Sequence, residues 1–262
     1  MNCKIIGVIT LFLFFFTGCS YSRDFEMYIK PPRLTDSKQQ IKKLIKDNLS
    51  LDNILINPVS GENQRSIQYI DLNGDKNDEA VVFYKKDMDG LYDLSIGCMI
   101  LKQNASRWYK YDTINLYGTS FIKILFSDFD NDGNKEIILF YNIEGSTIKN
   151  IAVYKDDGAK YNELMTGTYV GFVLDDIYGD SKLELAVFNE FDFSSPLLKC
   201  SLYKFQDNKL DKTDEISFKE TTYNFNVNIV PEHKSNKKKL LSVNGGSTMI
   251  EVVNNKLLIY GK

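Results

Sequence analysis

The sequence predicts an all-β protein built from repeats, with one short amphipathic helix in front of them. Three observations carry this reading. A nine-residue acidic phrase occurs three times, at 71–79, 128–136 and 176–184. Each copy is followed by an apolar run of strand length, at 80–84, 137–141 and 185–189. Each run is followed in turn by a hairpin whose turn residues tolerate tight backbone geometry: 103–106, 156–158 and 206–208. Self-similarity at a fixed period means that one supersecondary unit is being copied, and it constrains architecture more than local propensity does.

The chain begins with a positively charged Lys4 and an apolar stretch at residues 5–17. A bilayer-spanning helix needs about 20 apolar residues, so this stretch is too short to span and has the length of a secretory signal core. It closes on Gly18-Cys19, which resembles the lipobox of bacterial lipoproteins. That resemblance implies a signal peptide over 1–18 and lipid attachment at Cys19. Diacylglycerol and palmitate-type chains would then hold the protein on the extracytoplasmic face of the cell membrane. Residues 19–35 read as a lipidated tether, because Pro31-Pro32 favours extended backbone and blocks helix.

A helix and connecting segment are expected over 36–65. Ser37 and Gln40 form a capping-box pattern, and Ile41, Leu44, Ile45 and Leu49 recur at helical spacing. Lys38, Lys42, Lys43 and Lys46 fall mostly off that stripe.

Residues 66–262 divide into four units of about 49 residues each, the length of one four-stranded propeller blade. The strands leading into the acidic phrases are expected at 67–72, 122–126 and 170–174. A fourth unit keeps the apolar strand (239–244) and a hairpin turn at Asn254-Asn255, but has Pro231, His233 and Ser235 where acids stand elsewhere. The second strand of each unit is apolar at nearly every position, so it needs cover on both faces. The expectation is therefore a β-propeller of four four-stranded blades, or five if residues 51–65 supply a further irregular one.

The acidic phrases have the chemistry of a cation loop. Calcium takes six to eight oxygens, and a short loop can offer them at alternate positions. Positions 1, 3, 5, 7 and 9 are Asp71, Asn73, Asp75, Asn77 and Glu79 in the first loop. In the second they are Asp128, Asp130, Asp132, Asn134 and Glu136. Gly133 allows the bend of the second loop, where the first has Lys76. The third keeps Asp176, Asp180 and Glu184, but Tyr178 replaces the middle ligand, which ranks it last. An EF-hand is excluded because its loop ends at position 12 and lies between helices. The competing reading is a polar loop held by Asx-turns without an ion.

These phrases resemble the FG-GAP/VCBS repeats of β-propellers such as integrin α-chain heads, most closely at Asp128, Asp130, Asp132, Gly133 and Glu136. The family usually ends its loop in Asp, whereas all three loops here end in Glu. The resemblance implies a propeller with structural Ca2+ and no defined reaction.

Other chemistry is sparse. His233 is the only histidine, which excludes a His-rich zinc site. There is no nucleophile elbow and no phosphate-cradling loop; Gly245-Gly246 reads as a turn. The formal charge of −3 gives no reason to expect nucleic acid as a partner. Cys98 and Cys200 occupy similar places in different units and are expected as buried free thiols. Trp108 and Tyr109, with Tyr92, Tyr117 and Tyr169, are candidates for an aromatic contact on the rim. The sequence thus favours a monomeric, lipid-anchored, non-enzymatic module that binds an envelope or extracellular protein or glycan. A glycan-active enzyme using acids at the blade mouth is the alternative, and it should show a concave acidic pocket away from the loops.

Overall fold

The computed structural model of the chain describes residues 35–86, 94–143, 148–192, 195–206, 208–220, 224–231, 239–254 and 256–260. The signal segment, Cys19, the Pro31-Pro32 tether, Tyr92, His233 and Ser235 lie outside them. The chain divides into two compact units, residues 1–39 and 40–262. Of the first, only the start of helix α1 (Asp36–Asn48) is described. There the Thr35 hydroxyl accepts from the Lys38 amide at 3.5 Å, and the Thr35 carbonyl accepts from the Gln39 amide at 3.0 Å. The capping box expected at Ser37 and Gln40 is not the device used. The Gln40 side chain instead accepts from the Trp108 amide (2.9 Å) and donates to the Ser106 carbonyl (3.2 Å).

The second unit is antiparallel β throughout. Sheet 1 contains β1 (Asn53–Leu55), β2 (Ile67–Ile70), β3 (Glu79–Lys86), β4 (Ser95–Asn104) and β5 (Arg107–Tyr117). Sheet 2 is β6 (Ser120–Ser127), β7 (Glu136–Asn142), β8 (Lys149–Asp156) and β9 (Tyr161–Tyr169). Sheet 3 is β10 (Gly171–Asp175), β11 (Glu184–Asp192), β12 (Ser195–Gln206) and β13 (Lys209–Lys219). Sheet 4 is β14 (Val227–Pro231), β15 (Lys239–Val243), β16 (Thr248–Val253) and β17 (Lys256–Ile259). The four repeats are four sheets, as the period required. Sheet 1 has five strands rather than four, because β1 pairs with the Tyr84–Lys86 end of β3 beyond β2. Residues 53–55 thus extend the first sheet and do not start a fifth.

Strand order follows sequence order within each repeat, so each unit is a meander closed by tight hairpins. The turns sit where the sequence put them. Ala105, Ser106, Asn208 and Asn254 adopt positive φ in two-residue connections, and Gly158 does so in the four-residue β8–β9 loop.

The sheets pack in chain order, and the alternation of side chains along each second strand decides which neighbour each residue meets. Val81 and Phe83 of β3 face Ile137 and Leu139 of β7. Ile138 and Phe140 face Leu185 and Val187 of β11. Ala186 and Phe188 face Leu241 and Val243 of β15. This double burial is why the second strands are apolar without alternation. Aromatic rings lock the seams, with Phe83 and Phe121 edge to face at 5.3 Å and Phe140 stacked on Phe172 at 4.2 Å.

The remaining face of β3 carries Ala80, Val82 and Tyr84. It packs with Met99, Leu101 and Trp108 against Ile41, Leu44, Ile45 and Leu49 of the helical segment. A closed ring of four sheets would turn this face toward sheet 4; here the helix covers it. Trp108 is only 6% exposed beneath that cover, so it is core rather than a rim contact. Tyr169 is likewise buried, whereas Tyr109 and Tyr117 are exposed. Lys38, Lys42, Lys43 and Lys46 are exposed, as the helical stripe predicts. Cys98 and Cys200 are free and fully buried, in separate seams.

Candidate metal centre and adjoining cavity

Each acidic phrase forms the loop between the first and second strands of its sheet, and the three loops share one construction. Position 2 is an apolar plug: Leu72, Phe129 and Ile177 are all buried in the seams. Position 9 is a buried glutamate, and its Oε2 accepts the amide of the plug residue. The distances are 2.8 Å for Leu72 to Glu79, 2.8 Å for Phe129 to Glu136 and 2.9 Å for Ile177 to Glu184. The extra methylene of Glu over Asp lets the carboxylate reach across the loop to this amide.

Position 1 binds the far side. Asp71 Oδ2 accepts from Lys76, Asp128 from Asp132 and Gly133, and Asp176 from Asp180 and Ser181. Position 5 accepts the amide two residues on, Asp75 from Asn77, Asp132 from Asn134 and Asp180 from Lys182. These are Asx-turns, so the loop geometry is satisfied by backbone bonds in its own right. Two residues in each loop are left-handed, not one. Positions 4 and 6 have φ of +73° and +68° (Gly74, Lys76), +59° and +89° (Asn131, Gly133), and +74° and +68° (Gly179, Ser181).

The cation chemistry differs from loop to loop. In the second loop Asp128, Asp130 and Glu136 present carboxylate oxygens within 4.8 Å of one another, and in the third loop Asp176, Asp180 and Glu184 do the same. In the first, Asn73 is drawn to Asp75, its Nδ2 donating to Asp75 Oδ2 at 3.2 Å and its Oδ1 accepting from the Asp75 amide at 3.1 Å. Asn77 donates its own amide to Asp75, and Asn134 donates its own to Asp132. Tyr178, the gap in the third loop's ligand set, turns its hydroxyl to Thr213 at 3.1 Å.

Two of the loops carry an orphaned oxygen. Glu184 Oε1 and Asp71 Oδ1 are buried without a hydrogen-bond partner. Burial pushes the Glu184 carboxyl up to about 7, with the Asp180 charge adding to the shift. The second loop has no such orphan. Lys155 Nζ lies 2.8 Å from Asp132 Oδ2, 2.9 Å from Glu136 Oε1 and 3.3 Å from Asp130 Oδ2. The donor set that looks most like a calcium site in sequence is thus engaged by a side chain.

Beside the loops lies a cavity of about 900 Å³, open to solvent and lined about equally by polar and apolar surface, the latter including Leu164 and Leu210. Asn73, Asp132 and Asn134 come from the first two loops. Asp156, Asp157, Gly158, Asn162 and Glu163 come from the β8–β9 hairpin, and Asn208, Lys209 and Asp211 from β12–β13. Its carboxylates hold the fold. Asp156 takes Lys102 Nζ at 2.7 Å and the Tyr111 hydroxyl at 2.5 Å. Asp157 accepts the Ala159 and Lys160 amides and the Asn162 side chain. Those backbone bonds hold the Asp157 carboxyl below its ordinary value. Burial works against charge on Asp132, but its hydrogen bonds from Lys155 and the Asn134 amide win and lower it too. The cavity abuts the loops rather than standing apart from them.

No protein-family model matches the chain, and no curated protein matches it. Solved structures with some likeness include the exotype rhamnogalacturonan lyase YesX, with a TM-score of 0.40 and 14% identity. It aligns over 74% of this chain and 41% of that one. The Bacillus licheniformis rhamnogalacturonan lyase PL11 gives a TM-score of 0.40 and 15% identity over 74% and 42%. An exo-β-1,3-galactanase from Phanerochaete chrysosporium gives 0.30 and 10% over 77% and 51%. The chain spans less than half the length of either lyase.

Proposed function

We propose that this protein is a lipid-anchored, extracytoplasmic binding module. In this reading it is an open run of four propeller-type blades, capped by α1 and stiffened by cation-holding loops. The cavity beside the first two loops receives a polar ligand from the envelope or surroundings, a glycan or a polar protein segment. The carrying observation is that cavity, with its lining of amide, carboxylate and lysine side chains from three sheets beside Leu164 and Leu210.

A glycosidase-type acid needs a raised pKa and access to substrate. The glutamates whose pKa values burial raises are Glu79, Glu136 and Glu184, and all three are sealed beneath the loops. Asp132 and Asp157, which do face the cavity, are shifted the other way. Their ionised state suits hydrogen-bond acceptance from hydroxyls and amides more than proton donation.

The residues of the first and third loops would hold a calcium ion through Asp71 and through Asp176, Asp180 and Glu184. The ion would neutralise clustered carboxylates and so stabilise the sheets the loops join. It would take no part in chemistry. Lipid attachment at Cys19 supplies the anchor.

The test is a panel of envelope glycans and peptides presented to the purified full chain, with binding and product formation read in parallel. Saturable binding without turnover, weakened by Asn162→Ala, is expected. Cleavage of a glycan abolished by replacing Asp211 or Glu163 would overturn the reading in favour of an enzyme.

A further inference from the structure

We propose that the ammonium of Lys155 is the resident cation of the second loop, so that this loop is closed without metal. Lys155 belongs to a series. In sheet 3, Lys204 of β12 stands opposite Glu184, the residue that ends the third loop. In sheet 2, Tyr154 stands opposite Ile137, which puts Lys155 opposite Glu136 one step further along the ladder. In sheet 1, Leu101 opposite Ala80 does the same for Lys102 and Glu79. Cross-strand partners project to the same face of a sheet, so each repeat aims a lysine at the floor of its own loop.

The three lysines end in three different places. Lys102 passes its loop by and joins Asp156 of the neighbouring hairpin at 2.7 Å, with its ammonium 3.6 Å above the Tyr111 ring. Lys204 reaches only the rim of its loop, pairing with Asp180 at 2.5 Å and leaving Glu184 Oε1 without a hydrogen bond. Lys155 enters its loop fully. An ammonium has three N–H donors, and here they meet three carboxylates, from Asp130, Asp132 and Glu136. Its side chain is 9% exposed, and the Phe205 ring closes over it at 4.6 Å.

The oxygens that Lys155 holds include the third-, fifth- and ninth-position donors that calcium would need. Calcium bonds oxygen at about 2.3–2.6 Å, whereas the ammonium holds these oxygens 2.8–3.3 Å away. The two cations therefore exclude each other, and the lysine is tethered at the site while calcium must be recruited. This inference is independent of what the cavity binds.

Calcium binding to the full chain, read by titration calorimetry and by melting temperature, tests it. Asp130→Asn in the native background is expected to leave the number of bound calcium ions unchanged. Lys155→Met is expected to gain an additional calcium and a melting temperature that rises with calcium, and the Lys155→Met/Asp130→Asn pair to lose both. Loss of a bound calcium on Asp130→Asn alone would overturn the proposal, as would a folded Lys155→Met chain that gains none. If Lys155→Met does not fold, the side-chain NMR signal of the Lys155 ammonium decides. Persistence of that signal in millimolar calcium supports the proposal, and its loss or displacement by calcium contradicts it.

Discussion

The backbone amide of Lys135 donates to the carbonyl of Leu72 at 2.7 Å, joining position 8 of the second loop to position 2 of the first. The third loop repeats the bond on the second, with Leu183 donating to Phe129 at 3.1 Å. Lys135 adds its ammonium to the Asp71 carbonyl at 2.9 Å, and Asn131 reaches the Ser181 carbonyl. The acidic loops are thus joints between consecutive sheets as well as turns within them. Each loop is held from inside by its buried glutamate, and the first two are held from outside by the next loop.

The close approach of these joints predicts a sharp difference between two glycines. A Cβ on Gly74 would lie 2.8 Å from the Gly133 carbonyl oxygen at a φ of +73°, whereas Gly133 has φ +89° and open space around it. Both Gly→Ala changes strain the backbone, at about 1–3 kcal/mol each. Gly74→Ala must in addition push the two loops apart. Chemical denaturation should find Gly74→Ala the more destabilising of the pair.

The buried glutamates do two tasks that substitution separates. Glu136→Gln keeps an acceptor for the Phe129 amide and loses the charge that meets Lys155. Glu136→Ala loses both and strands a buried donor, which costs about 1–3 kcal/mol further. The expected order of stability in urea is native, then Gln, then Ala.

The third loop predicts a pH dependence for the chelated protein. Burial raises the Glu184 carboxyl in the fold from an ordinary value near 4.5 to about 7. The folded state then binds the proton more tightly than the unfolded state does. The resulting stability is present below pH 4.5 and is lost as pH rises toward 7. In EDTA, the melting temperature should fall across that window through this group, and Glu184→Gln should flatten the contribution.

Cys98 and Cys200 are buried in different seams, and burial raises both thiols. A thiol reagent should fail to label either in the native chain and should label both after denaturation, with no change on reduction.

The sequence made the repeat legible because a loop and its strand recur with the same acids and the same apolar run. It also located the hairpins, through Asn208, Gly158 and Asn254. It was silent on the neighbours of each face. Ile41 and Leu44 announce a helix, but not that it would cover Ala80, Val82 and Trp108 and so occupy the side where a ring would close. Spacing ranked the second loop first because its acids are complete, yet Lys155 lies 19 residues from Glu136 and only strand pairing brings it in. Spacing ranked the third loop last for want of a ligand at Tyr178, yet its Asp176, Asp180 and Glu184 converge with an oxygen to spare. A lysine at the same ladder step in each repeat was the available signal.

The measurement that bears most directly on the account is the melting temperature of the full chain in calcium and in EDTA, with one loop disabled at a time. For a Kd of ~0.1 mM in ~1 mM calcium, a filled site contributes about 1.4 kcal/mol. Calcium is expected to raise the melting temperature of the native chain and of Asp130→Asn alike, and Asp176→Asn is expected to remove the third loop's share of the rise. Equal melting in calcium and EDTA, or a calcium effect carried by Asp130 and indifferent to Asp176, would contradict it.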